Sequence, residues 1–200
     1  RLGIIFLVAI YVLLTTMRSI RDDFGVEIWR ELGHSGEPAI FTQSEMLVML
    51  GVVLVNGASI WIVSNRRAFL SSLALVGSGF VIVLAAVACH WQQWLTPFTF
   101  MVLTGLGLYI PYVAFHTTVF ERMIAVFRER ATIGFLMYSA DAVGYLGYVA
   151  VMFVQSAGMF EAGFLRLFVG ASLLIAITSI FITLFLGFHY YHRLPREEPT

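Results

Sequence analysis

The stretch LGIIFLVAIYVLLTTM (2–17), followed by RSIRDDFGVEIWRE (18–31), decides how the rest of the chain is interpreted. Its first part carries no charge and is slightly shorter than the roughly 20 residues with which a helix crosses a bilayer. The charges that follow should therefore lie at or just inside the membrane edge. A charge at that depth is costly, so it is usually paired and faces protein or water instead of lipid.

The outer charged cluster consists of Arg18, Arg21, Asp22 and Asp23. Arg18 and Asp22 are four residues apart and fall on one face of a helix, so we predict an ion pair between them. Two interpretations stay open for the cluster. It is either part of an amphipathic extension with solvated ion pairs, or a gate at the outer mouth of a transport path.

The composition is that of a membrane protein. Hydrophobic residues make up 60% and charged residues 12% of the chain, and the mean hydropathy is +0.88, which lies outside the range of soluble domains. The basic and acidic residues balance, so no nucleic-acid partner is predicted. The single cysteine, Cys89, excludes a disulfide within the chain, and no Cys/His spacing indicates a metal or a cofactor.

Long apolar runs with short polar breaks predict six transmembrane helices over this single domain, residues 1–200. The runs are 2–24, 41–63, 68–89, 97–120, 131–156 and 162–188. Spanning segments must satisfy their backbone hydrogen bonds internally, and runs of this length do so as helices. The predicted fold class is therefore all-α, a polytopic membrane helix bundle.

The arginines predict the orientation. With six spans, both termini lie on one side of the membrane. That side carries Arg1, Arg66, Arg67, Arg122, Arg128, Arg130, Arg193 and Arg196, and the other carries only Arg18, Arg21, Arg30 and Arg166. The positive-inside rule then predicts cytoplasmic termini.

The second span carries two polar features. Thr42-x-x-Glu45 matches a capping box, so we expect Glu45 to act as a helix cap. Asn56 is ten residues before Arg66, which places it near mid-membrane at about 1.5 Å per residue. We expect its amide to bond to a neighbouring helix, and we also consider it a candidate for the solute or proton path.

The fourth span combines a helix breaker with a polar stripe. Pro111 removes a backbone donor, which predicts a kink or a flexible point. Tyr109, Tyr112 and His116 recur at three and four residues and share one helix face. The stripe either lines a cavity or consists of buried aromatics bonded to neighbouring helices.

Asp141 in the fifth span is eleven residues beyond Arg130 and so about 16 Å into the membrane. A carboxylate there must meet a cation, bond to hydroxyls such as those of Tyr138 and Tyr145, or take up a proton. Arg18 lies too near the outer face to be that cation. Asp141 therefore either faces a wet cavity, where it binds solute or carries a proton, or anchors two helices.

Several features together resemble the carboxy-terminal half of a major facilitator superfamily transporter. They are six helices with both ends inside, a tight arginine hairpin, a longer basic connection after the fourth helix, and a glycine-rich fifth helix. Arg66 and Arg67 match the last arginines of that family's hairpin motif. The run RDDFGVEIWREL (21–32) is also similar to uncharacterised bacterial membrane proteins of facilitator type.

The resemblance implies a transporter half in the bacterial inner membrane. It would form one wall of a central solute path with alternating access, with proton coupling as an option. Six further helices, an amino-terminal half, would precede it, and its partners would be that half, a small-molecule solute and the lipid bilayer. The alternative is a non-transporting sensor or scaffold whose outer charged segment binds a ligand or partner. An enzyme is not expected, because the sequence has no His-Glu-x-x-His or Gly-x-Ser-x-Gly motif.

Overall fold

The computed structural model describes residues 2–35, 38–58, 61–62, 64–127, 133–156 and 163–193. These residues form helices and connections without a strand, which confirms the all-α fold class. The helices are α1 (Leu2–Asp23), α2 (Gly25–Glu31), α3 (Pro38–Ala58), α4 (Asn65–Trp91), α5 (Pro97–Ala114), α6 (Phe120–Phe127), α7 (Ile133–Ser156) and α8 (Phe164–Arg193). A π-helical turn, Phe115–Val119, joins α5 to α6.

Within the described ranges, six helices are long and apolar enough to cross a membrane: α1, α3, α4, α5 with its continuation to Ile124, α7 and α8. They correspond one to one with the predicted spans, and the chain is a multi-pass membrane protein. The helix irregularity expected at Pro111 is present as the π-helical turn, which begins four residues after this proline.

Local chemistry explains where two spans begin. Ser64 precedes α4, and its hydroxyl accepts the Arg67 N–H at 3.4 Å. Thr96 precedes α5 and accepts the Thr99 N–H at 3.2 Å, with Pro97 in the first turn. A side-chain oxygen at this position satisfies a backbone donor that the helix itself leaves free, and proline there loses no helical bond.

Two helices end with the same backbone turn. After α2, Gly33 has φ 93°, and the N–H groups of Gly33 and His34 bond back to the carbonyls of Arg30 and Trp29. After α4, Gln93 has φ 60°, and the same pair of bonds closes the helix. Both are Schellman endings, in which the left-handed residue is usually glycine.

The spans pack in two layers. α3, α5, α1 and α7 lie side by side in that order, and α4 and α8 pack on each other and on α5 and α1. The apolar core lies between the layers. It includes Leu14 and Met17 of α1, Phe80 of α4 and Phe168 of α8, all fully buried.

The packing repeats within the chain. The first unit is α1, α3 and α4, and the second is α5, α7 and α8. The first helix of each unit packs on the second and third helices of the other, and the two third helices pack on each other. Because each unit has three spans, the second unit enters the membrane from the opposite face. The pattern of helix contacts is therefore that expected of an inverted repeat.

Candidate functional site

A continuous set of polar side chains follows the layer of α3, α5, α1 and α7, and we call it the polar column. It consists of Tyr11, Arg18, Arg21 and Asp22 of α1, Glu45 of α3, Tyr109, Tyr112 and His116 of α5 and its π-helical turn, and Asp141 of α7. Helical periodicity aligns these residues: on α1 the spacings of seven and four residues bring Tyr11, Arg18 and Asp22 to one face.

The column begins at the end of the bundle where α2 ends and α3 begins. There Arg21, only 2% exposed, pairs with Glu45 through Nη2–Oε1 at 2.8 Å and Nη1–Oε2 at 3.2 Å. Its Nη2 also donates to the Met101 carbonyl at 3.1 Å. Two parallel bonds to one carboxylate are the strongest geometry that arginine offers. The pair joins α1 to α3 across α5.

A notch in α5 makes room for this arginine. A Cβ on Gly105 would lie 2.7 Å from the Arg21 Nη2 and 2.6 Å from a methyl carbon of Val48. The absence of a side chain at Gly105 therefore lets the guanidinium lie against the α5 backbone, where it reaches both Glu45 and the Met101 carbonyl.

The expected role of Glu45 as a cap is wrong. The helix begins at Pro38, and Thr42 is already inside it, where its hydroxyl donates to the Pro38 carbonyl at 3.4 Å. Proline is favourable in the first turn, so α3 extends beyond the apolar run. Glu45 therefore lies two turns inside α3, and its carboxylate pairs with Arg21.

The next group in the column is the Arg18–Asp22 ion pair, which the spacing of the two residues predicted. The Arg18 Nη1 lies 2.9 Å from the Asp22 Oδ2. The Tyr109 hydroxyl bonds to the same carboxylate, 2.6 Å and 2.7 Å from its two oxygens. The Arg18 guanidinium also lies over two rings, 4.5 Å from the centroid of Tyr112 and 5.8 Å from that of Tyr109. Arg18 is thus held by one carboxylate and two aromatic rings.

The deep end of the column is centred on Tyr11, which is fully buried. Its hydroxyl donates to the Asp141 carboxylate and lies 3.3 Å and 3.4 Å from the two ring nitrogens of His116. The Tyr112 ring stacks on Tyr11 with centroids 6.0 Å apart and lies 4.4 Å from the His116 ring. A tyrosine that donates to a carboxylate can still accept from an imidazole N–H, so the three groups form one hydrogen-bonded chain.

The structure corrects the expected partners of Asp141. By spacing, Tyr138 and Tyr145 share a helix face with Asp141. Their side chains are, however, 79% and 52% exposed. The hydroxyl that Asp141 bonds belongs to Tyr11 of the facing helix. Arg18, excluded on grounds of depth, forms its ion pair with Asp22 instead.

Other predicted residues lie outside the column. Asp23 is exposed beside the Tyr148 hydroxyl. The Asn56 amide donates to the Val52 carbonyl at 3.1 Å and to the Ile110 carbonyl of α5 at 3.5 Å, so it bonds to a neighbouring helix as expected. Arg67 is exposed at the start of α4, and the side chain of Arg66 lies outside the described residues.

A cavity of about 1000 Å³ adjoins the outer part of the column between α3 and α5. Most of its wall is apolar. The groups that line it are Phe41, Thr42, Glu45, Met46, Val48, Met49, Val52, Val53, Asn56, Gly57, Tyr109, Val113, Thr117, Thr118 and Arg122. Glu45 and Tyr109 thus connect the column to a space large enough for a small molecule.

Sequence reasoning missed Tyr11 and Glu31. Tyr11 is seven residues before Arg18, so its place on the face of the charged cluster was a readable signal. Glu31 accepts the N–H groups of Phe164 and Leu165 at 2.8 Å and 2.9 Å and so caps α8. No local pattern indicates this contact, because its partners are more than 130 residues away.

The chemistry of the column is that of charge and hydrogen bonding. Over the described ranges, no three His, Cys, Asp or Glu residues come together as a metal would require. Carboxylates, guanidinium groups and phenols at membrane depth can bind a polar or charged molecule, or pass a proton from one group to the next.

Comparison with known proteins provides one match. A family model described as a family of unknown function, DUF5690, matches residues 1–193. No match was found among curated proteins or among solved structures. The matched region covers all six spans and every residue of the polar column, so the chain belongs to DUF5690, a family of unknown function.

Proposed function

We propose that this chain forms one wall of the solute path of a membrane transporter and has no enzymatic role. The observation that carries the proposal is the polar column, which runs from the Arg21–Glu45 pair to Asp141 through four helices. Charged side chains inside a membrane protein usually mark the pathway of a substrate or an ion. Asp141 is the residue that we assign to solute or proton binding.

The inverted repeat supports the same role. Many transporters consist of inverted repeats with the binding site at their interface near the middle of the bilayer. Here the column lies where the first helices of the two units, α1 and α5, meet. This arrangement agrees with the resemblance to the carboxy-terminal half of facilitator transporters. In the proposed assembly an amino-terminal half supplies the opposite wall, and the protein lies in the bacterial inner membrane.

Cysteine accessibility tests alternating access without knowledge of the substrate. In a Cys89→Ala background of the full-length protein, a cysteine replaces Tyr145, which is one turn from Asp141 and 52% exposed. Sealed vesicles of both orientations are then treated with a charged, impermeant thiol reagent. We expect labelling from both sides of the membrane, because an alternating path opens to each side in turn.

The matched control is Leu184→Cys. Leu184 belongs to α8, in the layer formed by α4 and α8, and is 67% exposed. It should remain unlabelled, since a charged reagent does not enter lipid. A sensor or scaffold would give labelling of the Tyr145 position from one side or from neither. That result would contradict the transport proposal. It would favour the alternative in which the outer charged cluster binds a ligand or partner.

A further inference from the structure

The carboxylates of the polar column are not all balanced by arginines. Arg21 pairs with Glu45, and Arg18 pairs with Asp22. Asp141 is bonded to the Tyr11 hydroxyl, and among the described residues no basic nitrogen lies within ion-pair distance of it. In a medium of low polarity an excess negative charge strongly attracts a cation.

The surroundings of Asp141 are aromatic. Tyr11 touches the carboxylate, Tyr112 stacks on Tyr11, and the His116 ring lies 4.4 Å from Tyr112. Tyr112 and His116 are only half-buried, so part of each ring remains accessible to a ligand. The faces of aromatic rings attract cations, most strongly where water is excluded.

The column already holds one cation in this way. The guanidinium of Arg18 lies between the Asp22 carboxylate and the rings of Tyr112 and Tyr109, at 4.5 Å and 5.8 Å from their centroids. Two rings and a carboxylate thus hold a delocalised cation whose side chain is only 15% exposed. Around Asp141 a carboxylate again adjoins aromatic rings, those of Tyr112 and His116, and Tyr112 is shared with Arg18.

We propose that Asp141, Tyr112 and His116, each partly exposed, bind a small organic cation, such as an ammonium or guanidinium group, while the buried Tyr11 hydroxyl positions the carboxylate. This names the substrate class of the transport path and so rests on the proposed function. The carboxylate supplies the charge, and the rings replace part of the water that surrounds the cation. A divalent metal fits the site poorly, because such ions require several oxygen ligands and the described residues place one carboxylate here.

Thermal stability of the purified full-length protein provides the test, with choline as the probe. A ligand that binds the folded state raises the apparent Tm as its concentration rises. The matched compound is 3,3-dimethylbutanol, which has the shape of choline and no charge. We expect choline to raise Tm in a saturable manner and the alcohol to leave it unchanged at equal concentration.

Variants test whether the Tm shift caused by choline arises from binding at Asp141 and its neighbouring rings. Asp141→Asn keeps the size of the side chain, and we expect it to weaken the apparent affinity for choline at least about tenfold. Tyr112→Leu should do the same, whereas Tyr112→Phe should stay within about twofold of the parent, because the ring is retained. The control is Glu121→Gln, an exposed carboxylate of α6 outside the column, which should not change the affinity.

Equal shifts with choline and its uncharged counterpart would overturn the proposal, as would a full choline shift in both Asp141→Asn and Tyr112→Leu. Absence of any shift with choline, tetramethylammonium and guanidinium would do so as well. The accessibility experiment needs no ligand, so the two proposals fail separately. Labelling from both sides without cation binding would contradict the proposed substrate class. Cation binding without such labelling would support the cation site and contradict transport.

Discussion

At the scale of single residues, the Arg21 guanidinium is the most deeply buried charge that the structure describes in the polar column. It is 2% exposed, while its partner Glu45 is 30% exposed in its side chain. Burial of a charge is tolerated when geometry and additional hydrogen bonds compensate for lost water. Here the two bonds to Glu45 and the bond to the Met101 carbonyl provide that compensation.

We expect Glu45→Ala to destabilise the protein by up to about 3–5 kcal/mol, because the buried Arg21 would keep only the Met101 carbonyl and the more distant Asp22 carboxylate at 3.8 Å. Arg21→Ala should also lower Tm, and the double variant should lose less than the sum of the two. Thermal unfolding in detergent, arranged as a double-mutant cycle, measures this coupling. Arg30→Ala, exposed on α2, is the control and should change stability by less than about 0.5 kcal/mol. Additive losses would mean that the pair contributes little.

The notch at Gly105 gives a second residue-scale prediction. An alanine there would press on the Arg21 Nη2 at 2.7 Å and on Val48 at 2.6 Å, so we expect a loss of about 1–3 kcal/mol. Gly170 of α8 is the matched control, since a Cβ there meets nothing within 4 Å. Gly170→Ala should be neutral or stabilising by up to about 1 kcal/mol. Equal melting temperatures for the two variants would contradict the close contact.

At the scale of elements, α2 connects the end of α1 to the start of α8. Glu31 accepts two N–H groups of the first turn of α8, and the Phe24 ring lies 4.7 Å from that of Phe164. The first N–H groups of a helix have no partner within it, and a carboxylate there also interacts well with the helix dipole. The short helix thus fixes the entry of the last span.

Glu31→Ala should cost about 0.5–2 kcal/mol, the usual range for the loss of a helix cap. Glu31→Gln retains one acceptor oxygen and should fall between the parent and the alanine variant. Amide hydrogen exchange should become faster at Phe164 and Leu165 and remain unchanged in α4. Glu27→Ala, on the same short helix, is the control. Unaltered exchange at the start of α8 in Glu31→Ala would show that the cap is dispensable.

The ends of α2 and α4 permit a comparison of glycine with glutamine in one backbone conformation. Gln93 has φ 60°, which costs a residue with a side chain about 1–2 kcal/mol relative to the right-handed region. Gln93→Gly should therefore stabilise the protein by up to about 1 kcal/mol. Gln92→Gly, at φ −80°, is the control and should be destabilising. Thermal unfolding measures both, and a loss in Gln93→Gly would contradict the expectation.

At the scale of the whole molecule, the inverted packing of two three-helix units brings distant residues to one place. α1 and α5 meet at the centre of one layer, and α3 and α7 flank them as the least buried spans. The apolar contacts concentrate between this layer and the layer of α4 and α8. The polar column reaches from this packing to the partly exposed side of its layer: Tyr11 and Arg21 are buried, whereas Tyr112 and His116 are only half-buried.

The orientation can be tested by labelling. Single cysteines at Ser35 and at Trp61, which is 85% exposed, mark the connections before α3 and after it. Trp61 is chosen for the second connection because the nearby Ser64 caps α4 with its hydroxyl and should be left intact. We expect an impermeant reagent to label Ser35→Cys from outside and Trp61→Cys from inside, with Cys89→Ala as the unlabelled background. Labelling of both from one side would overturn the six-span topology.

The sequence by itself determined the class of the protein and the number of its spans. Lipid offers the backbone no hydrogen-bond partners, so each crossing must be one helix of nearly fixed length, and such lengths can be read from apolar runs. The Arg18–Asp22 pair was likewise readable, because its partners are one helical turn apart.

The partners of the remaining charges were decided only by the tertiary structure. Tyr11 meets Asp141 across 130 residues, Arg21 meets Glu45 across 24, and Glu31 meets Phe164 across 133. Spans that are apolar on nearly every side carry little periodic signal, so the sequence does not indicate which face turns toward which neighbour. Those contacts depend on the order in which the six helices pack, and that order follows from side-chain fit between helices distant in the chain.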